Sequence, residues 1–172
     1  RLPMVARITD WAREVTAGID SVQAMARAVC DALHEDFAFD PNATFVDTSV
    51  AEAFDLRRGV CQDFSHIAIV ALRGLGIPAG YVSGFLRTDP PEGQARLEGA
   101  DAMHAWVRAW CGADAGWLEL DPTNGIAAGL DHIVIGYGRD YLDVAPVRGV
   151  LRLSGGQYTT QAVDVVPVQT AA

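Results

Sequence analysis

The chain has 172 residues, of which half are hydrophobic and a fifth are charged. This balance is that of a globular protein whose core needs neither disulfides nor metal, and it excludes an intrinsically disordered segment. The formal net charge of -9 argues against a nucleic-acid partner, because an acidic surface repels phosphate backbones. No apolar run approaches the ~18–20 residues that a membrane-spanning helix needs, so we expect no membrane partner.

The number and spacing of the cysteines indicate the redox state of the compartment. There are three, Cys30, Cys61 and Cys111, and none forms a CxxC pair. An odd count without such a pair argues against a disulfide framework and against a structural zinc site. We therefore expect a reducing, cytoplasmic location and no metal or other cofactor. The first residue is Arg1 rather than Met, which suggests that residues 1–172 are a single domain from a longer chain.

The first part of the chain carries helical patterns. Apolar residues recur at helical spacing over residues 2–16 and again over residues 21–37, which predicts two amphipathic helices. A capping-box sequence begins at Ser49 and has its acidic residue at Glu52. This sequence predicts a short helix over residues 50–56.

A buried helix is predicted after this segment. From Cys61 to Leu75 the apolar positions again follow a 3.6-residue period. Gly76 suits the left-handed position at a helix C-terminus, and Pro78 prevents the helix from continuing. The pattern therefore places Cys61 in the first turn of a mostly buried helix.

The second part of the chain changes to β patterns. Residues 103–110 alternate so that His104 and Trp106 share one face, and residues 117–121 return as the second strand of a hairpin. Helices followed by an antiparallel sheet define the α+β class. Further strands are predicted at residues 79–87, 132–137, 148–153 and 157–167, with an exposed loop at residues 88–101.

Three of these residues suggest thiol chemistry. The nucleophilic form of cysteine is the thiolate, which a helix start favours through its unpaired N–H groups and its dipole. The hairpin turn places Asp121 opposite Trp106 and diagonal to His104, on the same face. In a thiol triad, Cys61 would attack, His104 would transfer the proton and Asp121 would orient the imidazole. Taken alone, Cys61 has a plainer interpretation as a small buried hydrophobe, and His104 as a hydrogen-bonded core residue.

Ordered motifs in the chain resemble the bacterial transglutaminase-like superfamily. The resemblance extends over about residues 45–155. It implies a papain-like α+β core with the cysteine helix packed on an antiparallel sheet, with Cys61 as nucleophile, His104 as general base and Asp121 as orienting acid. It also implies a β-rich domain ahead of this core in the parent chain. The motifs are RRGVCQDFSHIAIVALRGLGIPAGYVSGFL (57–86), HAWVRAW (104–110), WLELDPTNG (117–125) and DHIVIGYGRDYLDVAPVRGV (131–150).

Three further residues are candidates for the oxyanion or substrate pocket. The backbone N–H of Cys61 is the expected oxyanion donor, and Gln62 is a candidate side-chain donor whose alternative is simple exposure to solvent. Trp106 shares the face of His104 and is expected either to wall the acyl pocket or to pack in the core. His132 opens a predicted strand and is expected to border the cleft.

The expected activity is acyl transfer from an amide bond of a peptide or protein substrate, through a thioester intermediate. Hydrolysis is preferred, because water needs no dedicated second site. A shared triad does not name the reaction, so a protein-glutamine transglutaminase with an amine acceptor and a catalytically silent binding module remain alternatives. A zinc site formed by Cys61, His104 and Asp121 is a further alternative, but it lacks a fourth ligand.

Overall fold

The computed structural model describes residues 2–88, 101, 103–146 and 162–168. Its helices pack against a five-stranded antiparallel sheet, which confirms the α+β class. The helices are α1 (Ala6–Val15), α2 (Val22–Asp36), α3 (Val50–Leu56), α4 (Cys61–Gly74) and α5 (Tyr141–Val144). The strands are β1 (Ala38–Phe39), β2 (Arg58–Gly59), β3 (Ala79–Leu86), β4 (Met103–Trp110), β5 (Trp117–Asp121), β6 (Ile126–Ala127) and β7 (His132–Gly138).

Most of the predicted elements are confirmed. Three of them, α3, β4 and β5, have the predicted bounds, and the others differ by a few residues. The predicted strand at residues 148–153 lies outside the described residues. The prediction of a strand over residues 157–167 is wrong for its described part, since residues 162–168 form no ladder. The reason is that the backbone N–H of Val165 donates to the carboxylate of Asp101 instead of to a neighbouring strand.

The central helix of the core is α4. It contacts α1, α2 and α3 as well as β3 and β4. Phe64, Ile67 and Leu72 are at most 2% exposed, and burying each of them contributes about 1.5–3 kcal/mol. Cys61 therefore begins a helix that is firmly fixed in the core. No helix among the described residues is long and apolar enough to cross a bilayer.

The sheet has the strand order β6-β5-β4-β3-β7. Its central strand, β4, turns Ala105, Val107 and Ala109 toward the helical core. Val107 pairs with Leu120 in β5, as the predicted hairpin register requires. The next residue of β5, Asp121, consequently lies on the face that carries His104.

The start of α4 is held by a buried carboxylate. Asp63 is 3% exposed, and its Oδ2 accepts the backbone N–H of Val60 at 2.9 Å and the hydroxyl of Thr44 at 2.6 Å. Gly59 leaves room for this carboxylate, because a Cβ at that position would collide with it. The absence of a side chain at Gly59 is therefore part of what fixes the first turn of α4.

Gly59→Ala is expected to reduce the free energy of unfolding by about 1–3 kcal/mol, because the added methyl group displaces Asp63 from its two donors. Urea denaturation followed by circular dichroism measures the change. Gly129→Ala is the matched control, since a Cβ there meets nothing within 4 Å. The control should be neutral or slightly stabilising. Equal stabilities for the two variants would contradict the role given to Asp63.

Candidate active site

Three elements bring the predicted triad residues together. Cys61 opens α4, His104 is the second residue of β4, and Asp121 is the last residue of β5. The Nε2 atom of His104 lies 2.7 Å from Oδ2 of Asp121, and the thiol of Cys61 is near enough to the same imidazole to contribute to the rise of its pKa. The side chain of Asp121 has no exposed area, whereas that of His104 is 10% exposed. The imidazole is thus anchored on a buried acid while part of it remains accessible.

One nitrogen of the His104 ring is held by Asp121. Asp121 occupies Nε2, so Nδ1 is the ring nitrogen available to the thiol of Cys61. Anchoring one nitrogen fixes the orientation of the ring and leaves the other to exchange a proton. This is the division of labour that a general base requires.

The carboxylate of Asp121 is surrounded by donors. Its Oδ1 accepts the backbone N–H groups of Thr123 at 3.0 Å and Asn124 at 3.2 Å. Its Oδ2 is bonded to His104, to the Nδ2 amide of Asn124 at 2.7 Å and to Nε2 of His132 at 3.1 Å. Burial alone would raise the pKa of Asp121, but these bonds outweigh it and hold the pKa far below its usual value.

The pKa of His104 shifts in the opposite direction. Burial tends to lower the pKa of His104, but hydrogen bonds to Asp121 and Cys61 outweigh that effect and raise the pKa to about 9. The imidazole therefore carries its proton at neutral pH. In that state it can stabilise a thiolate and can later protonate a leaving group.

His104, Asp121 and His132 also resemble a set of metal ligands, since one ligand atom from each lies within 4.8 Å of the others. The hydrogen bonds favour another interpretation. Nδ1 of His132 accepts the backbone N–H of Gly129 at 3.2 Å, so the proton of the neutral ring is on Nε2, the atom that a metal would need. A ligating histidine normally donates its second nitrogen rather than accepting there. The cluster therefore fits a hydrogen-bond network better than a metal site.

Trp106 lies beneath the two imidazoles. It has no exposed area, its ring stacks on that of His104 at 6.1 Å, and it meets His132 edge-on at 5.1 Å. Its Nε1 donates to Glu119 at 2.7 Å. A Cβ on Gly84 of the neighbouring strand would strike the indole. Trp106 thus packs against both histidine rings and restricts their movement.

Gln62 is engaged away from the triad. Its side-chain amide donates to the carbonyl oxygen of Val46 at 3.1 Å. Together with His66, it borders a cavity of about 420 Å³ whose described lining includes none of the three triad residues. His66 has a packing role: its Nε2 accepts the backbone N–H of Tyr141, and burial lowers its pKa to about 4.

A second cavity, of about 400 Å³, opens directly beside His104. It adjoins the anchored imidazole, and its described lining includes His104 but not Cys61. Its other lining residues are Phe39, Leu86, Thr88, Met103, Thr123 and Asn124.

Two residues of the site were not anticipated from the sequence. Asn124 holds Asp121 through its side chain, and Glu119 anchors Trp106. A local signal for Asn124 exists, because an Asp followed by a turn commonly accepts the backbone N–H groups two and three residues later. Glu119 lacks such a signal, since its partners lie on other strands.

A sequence profile of the transglutaminase-like superfamily matches residues 9–122. The chain belongs to this superfamily. Uncharacterised members occur in mycobacteria: one from Mycobacterium tuberculosis is 44% identical over 147 residues, covering 83% of this chain and 47% of that protein. One from Mycobacterium leprae is 45% identical over 127 residues, covering 73% and 43%. The chain thus spans about half the length of these relatives.

Solved structures support the transglutaminase-like fold. A protein from Cytophaga hutchinsonii, provisionally named as a cysteine protease, superposes with a TM-score of 0.67 at 27% identity, covering 81% of this chain and 44% of that one. The periplasmic domain of TgpA from Pseudomonas aeruginosa gives 0.52 at 30% identity, covering 73% and 45%. These similarities confirm the fold expected from the motifs.

The free energy of unfolding is expected to fall as the pH rises from about 6.5 to about 9. The pKa of His104 is about 9 in the folded state, against its ordinary value of 6.5. The stabilisation from its proton is therefore complete below pH 6.5 and is lost as the pH passes 9. That loss is at most about 3 kcal/mol, measured by urea denaturation at several pH values in a Cys61→Ala background, which removes the thiol that also exchanges a proton in this site. In His104→Gln the decline should be shallower, and an equally steep decline would contradict the assignment.

Proposed function

We propose that the chain carries the core of a thiol-dependent acyl-transfer enzyme that hydrolyses amide bonds in peptide or protein substrates. The observation that carries this proposal is the imidazole of His104, anchored on buried Asp121 and available to Cys61 at the start of α4. Membership of the superfamily and the provisional protease name of the Cytophaga hutchinsonii protein support the same class of reaction.

In the proposed acylation step His104 begins with its proton, and Cys61 reacts as the thiolate. The thiolate of Cys61 attacks the carbonyl carbon of the amide, and a C–S bond forms. The negative charge that develops on oxygen is met by the backbone N–H of Cys61, because a helix start leaves its first N–H groups without intrahelical partners. The imidazolium of His104 gives its proton to the amide nitrogen, the C–N bond breaks, and the amine leaves behind a thioester.

Deacylation uses the now neutral His104 as a base. It takes a proton from water as the water oxygen attacks the thioester carbonyl. The C–S bond breaks, the carboxylic acid is released, and the pair of thiolate and imidazolium is restored. Asp121 remains an anion throughout and stabilises each imidazolium that forms. The cavity beside His104 supports this scheme by giving substrate and water a route to the imidazole.

Iodoacetamide near pH 6 is expected to label Cys61 at least about 10-fold faster than Cys30 or Cys111. Burial raises the pKa of both other thiols, and Cys30 is almost fully buried. Peptide mapping by mass spectrometry measures the three rates separately. His104→Gln should slow the labelling of Cys61 alone. Equally slow labelling of all three thiols would favour the binding module over an enzyme.

Asp121→Asn is expected to lower kcat by about 100-fold or more with a smaller change in KM, because the acid orients the base and does not touch the substrate. An acyl electrophile followed by a peptide-library screen supplies the substrate for these assays. Cys61→Ala sets the baseline and should form no acyl-enzyme while it folds normally. An effect of Asp121→Asn on KM alone would rule out the orienting role. Products that contain an added primary amine would indicate transamidation instead of hydrolysis.

A further inference from the structure

We infer that His132 is a positioning residue of this site, which limits the strength of the Asp121–His104 hydrogen bond by competing for the same carboxylate oxygen. His132 acts here through the proposed base, so the inference rests on the proposed function and deepens it.

The competition is visible at Oδ2 of Asp121. That one oxygen is bonded to His104 at 2.7 Å, to Asn124 at 2.7 Å and to His132 at 3.1 Å. A carboxylate oxygen offers about two lone-pair directions, so three donors must share them. The other oxygen is already occupied by two backbone N–H groups. A hydrogen bond from His132 to Oδ2 therefore weakens the hydrogen bond that the same oxygen makes with His104.

The tautomer of His132 makes it a constant donor. A backbone N–H can only donate, so the bond from Gly129 requires Nδ1 of His132 to be an acceptor. The proton of the ring is then on Nε2 and points at Asp121. The side chain is only 3% exposed, so water does not replace it.

The strand between the two histidines leaves room for this contact. His132 and His104 lie on β7 and β4, which are separated by β3. At the crossing, β3 contributes Gly84, where a side chain would strike Trp106 and the carbonyl of Ile133. The indole of Trp106 then contacts both imidazoles and keeps their rings 6.1 Å apart.

The proposed reaction gives this sharing a purpose. His104 must hold a proton to stabilise the thiolate of Cys61, yet it must release that proton to the leaving amine. A general acid works best when its proton affinity is matched to both tasks. Without the bond from His132, the Asp121–His104 hydrogen bond would be stronger, and the imidazolium would release its proton less readily. His132 weakens that hydrogen bond without removing the charge of Asp121.

The test is the titration of His104, followed by NMR on protein labelled with ¹⁵N at its four histidines. The titratable groups that face this ring are Asp121 from β5, Cys61 from α4 and His132 from β7. Two variants form a matched pair. His132→Asn can still accept from Gly129 but is too short to reach Asp121, whereas His132→Gln can still donate to Asp121.

His132→Asn should raise the titration midpoint of His104 by about half a pH unit or more, because Oδ2 then serves His104 with less competition. His132→Gln should leave the midpoint close to that of the wild type. Ile135→Ala, on the exposed part of β7, should leave it unchanged. A midpoint that is unchanged or lower in His132→Asn, or raised equally in both His132 variants, would overturn the inference.

Two further measurements distinguish a failure of the inference from a failure of the proposed triad. Asp121→Asn must lower the midpoint of His104, and if it does not, the proposed triad itself fails. The ¹⁵N shifts of His132 in the wild-type protein need no variant and should show a protonated Nε2 with an unprotonated Nδ1. The opposite tautomer would overturn the inference even if a variant failed to fold.

Discussion

The buried charge of Asp121 is the constraint on which the rest of the site depends. A carboxylate without exposed area is tolerated only when its lone pairs are used. Here the donors come from the turn that follows β5, from β4 and from β7. The strands must therefore be in register for the charge to be stable, and the same register presents His104 to Cys61. The stability of the buried charge and the proposed chemistry thus depend on one set of hydrogen bonds.

The part of the site that follows from local sequence was predictable. The hairpin between β4 and β5 has a short turn and strict alternation, and these fix its register. Counting from the turn places Asp121 beside His104, and the paired residues Val107 and Leu120 confirm that count. The helical period after Cys61 likewise follows from apolar spacing alone. These features need no knowledge of which strands become neighbours.

The remaining features depend on strand order, which local patterns do not encode. His132 lies on β7, which pairs with β3, yet its side chain reaches Asp121 at the end of β5, a contact that no local pattern predicts. The covered position of Trp106 has the same origin, since alternation assigns it a face but not what packs there. The two-residue strands β1 and β2 are too short to show a period. Side-chain acceptors such as Asp101 also redirect backbone groups that a propensity argument assigns to a ladder.

The helix that begins with Cys61 is also the centre of the core. Nine of the residues of α4 are buried, so the helix cannot separate from the rest of the core without exposing most of its buried side chains. Local opening is cheap where buried contacts are few and approaches the global free energy of unfolding where they are many. The amide hydrogens of α4 should therefore be among the slowest in the protein to exchange with solvent. Partial unfolding at the surface would leave the thiol of Cys61 in place, and the geometry around it would be lost only when the whole core unfolds.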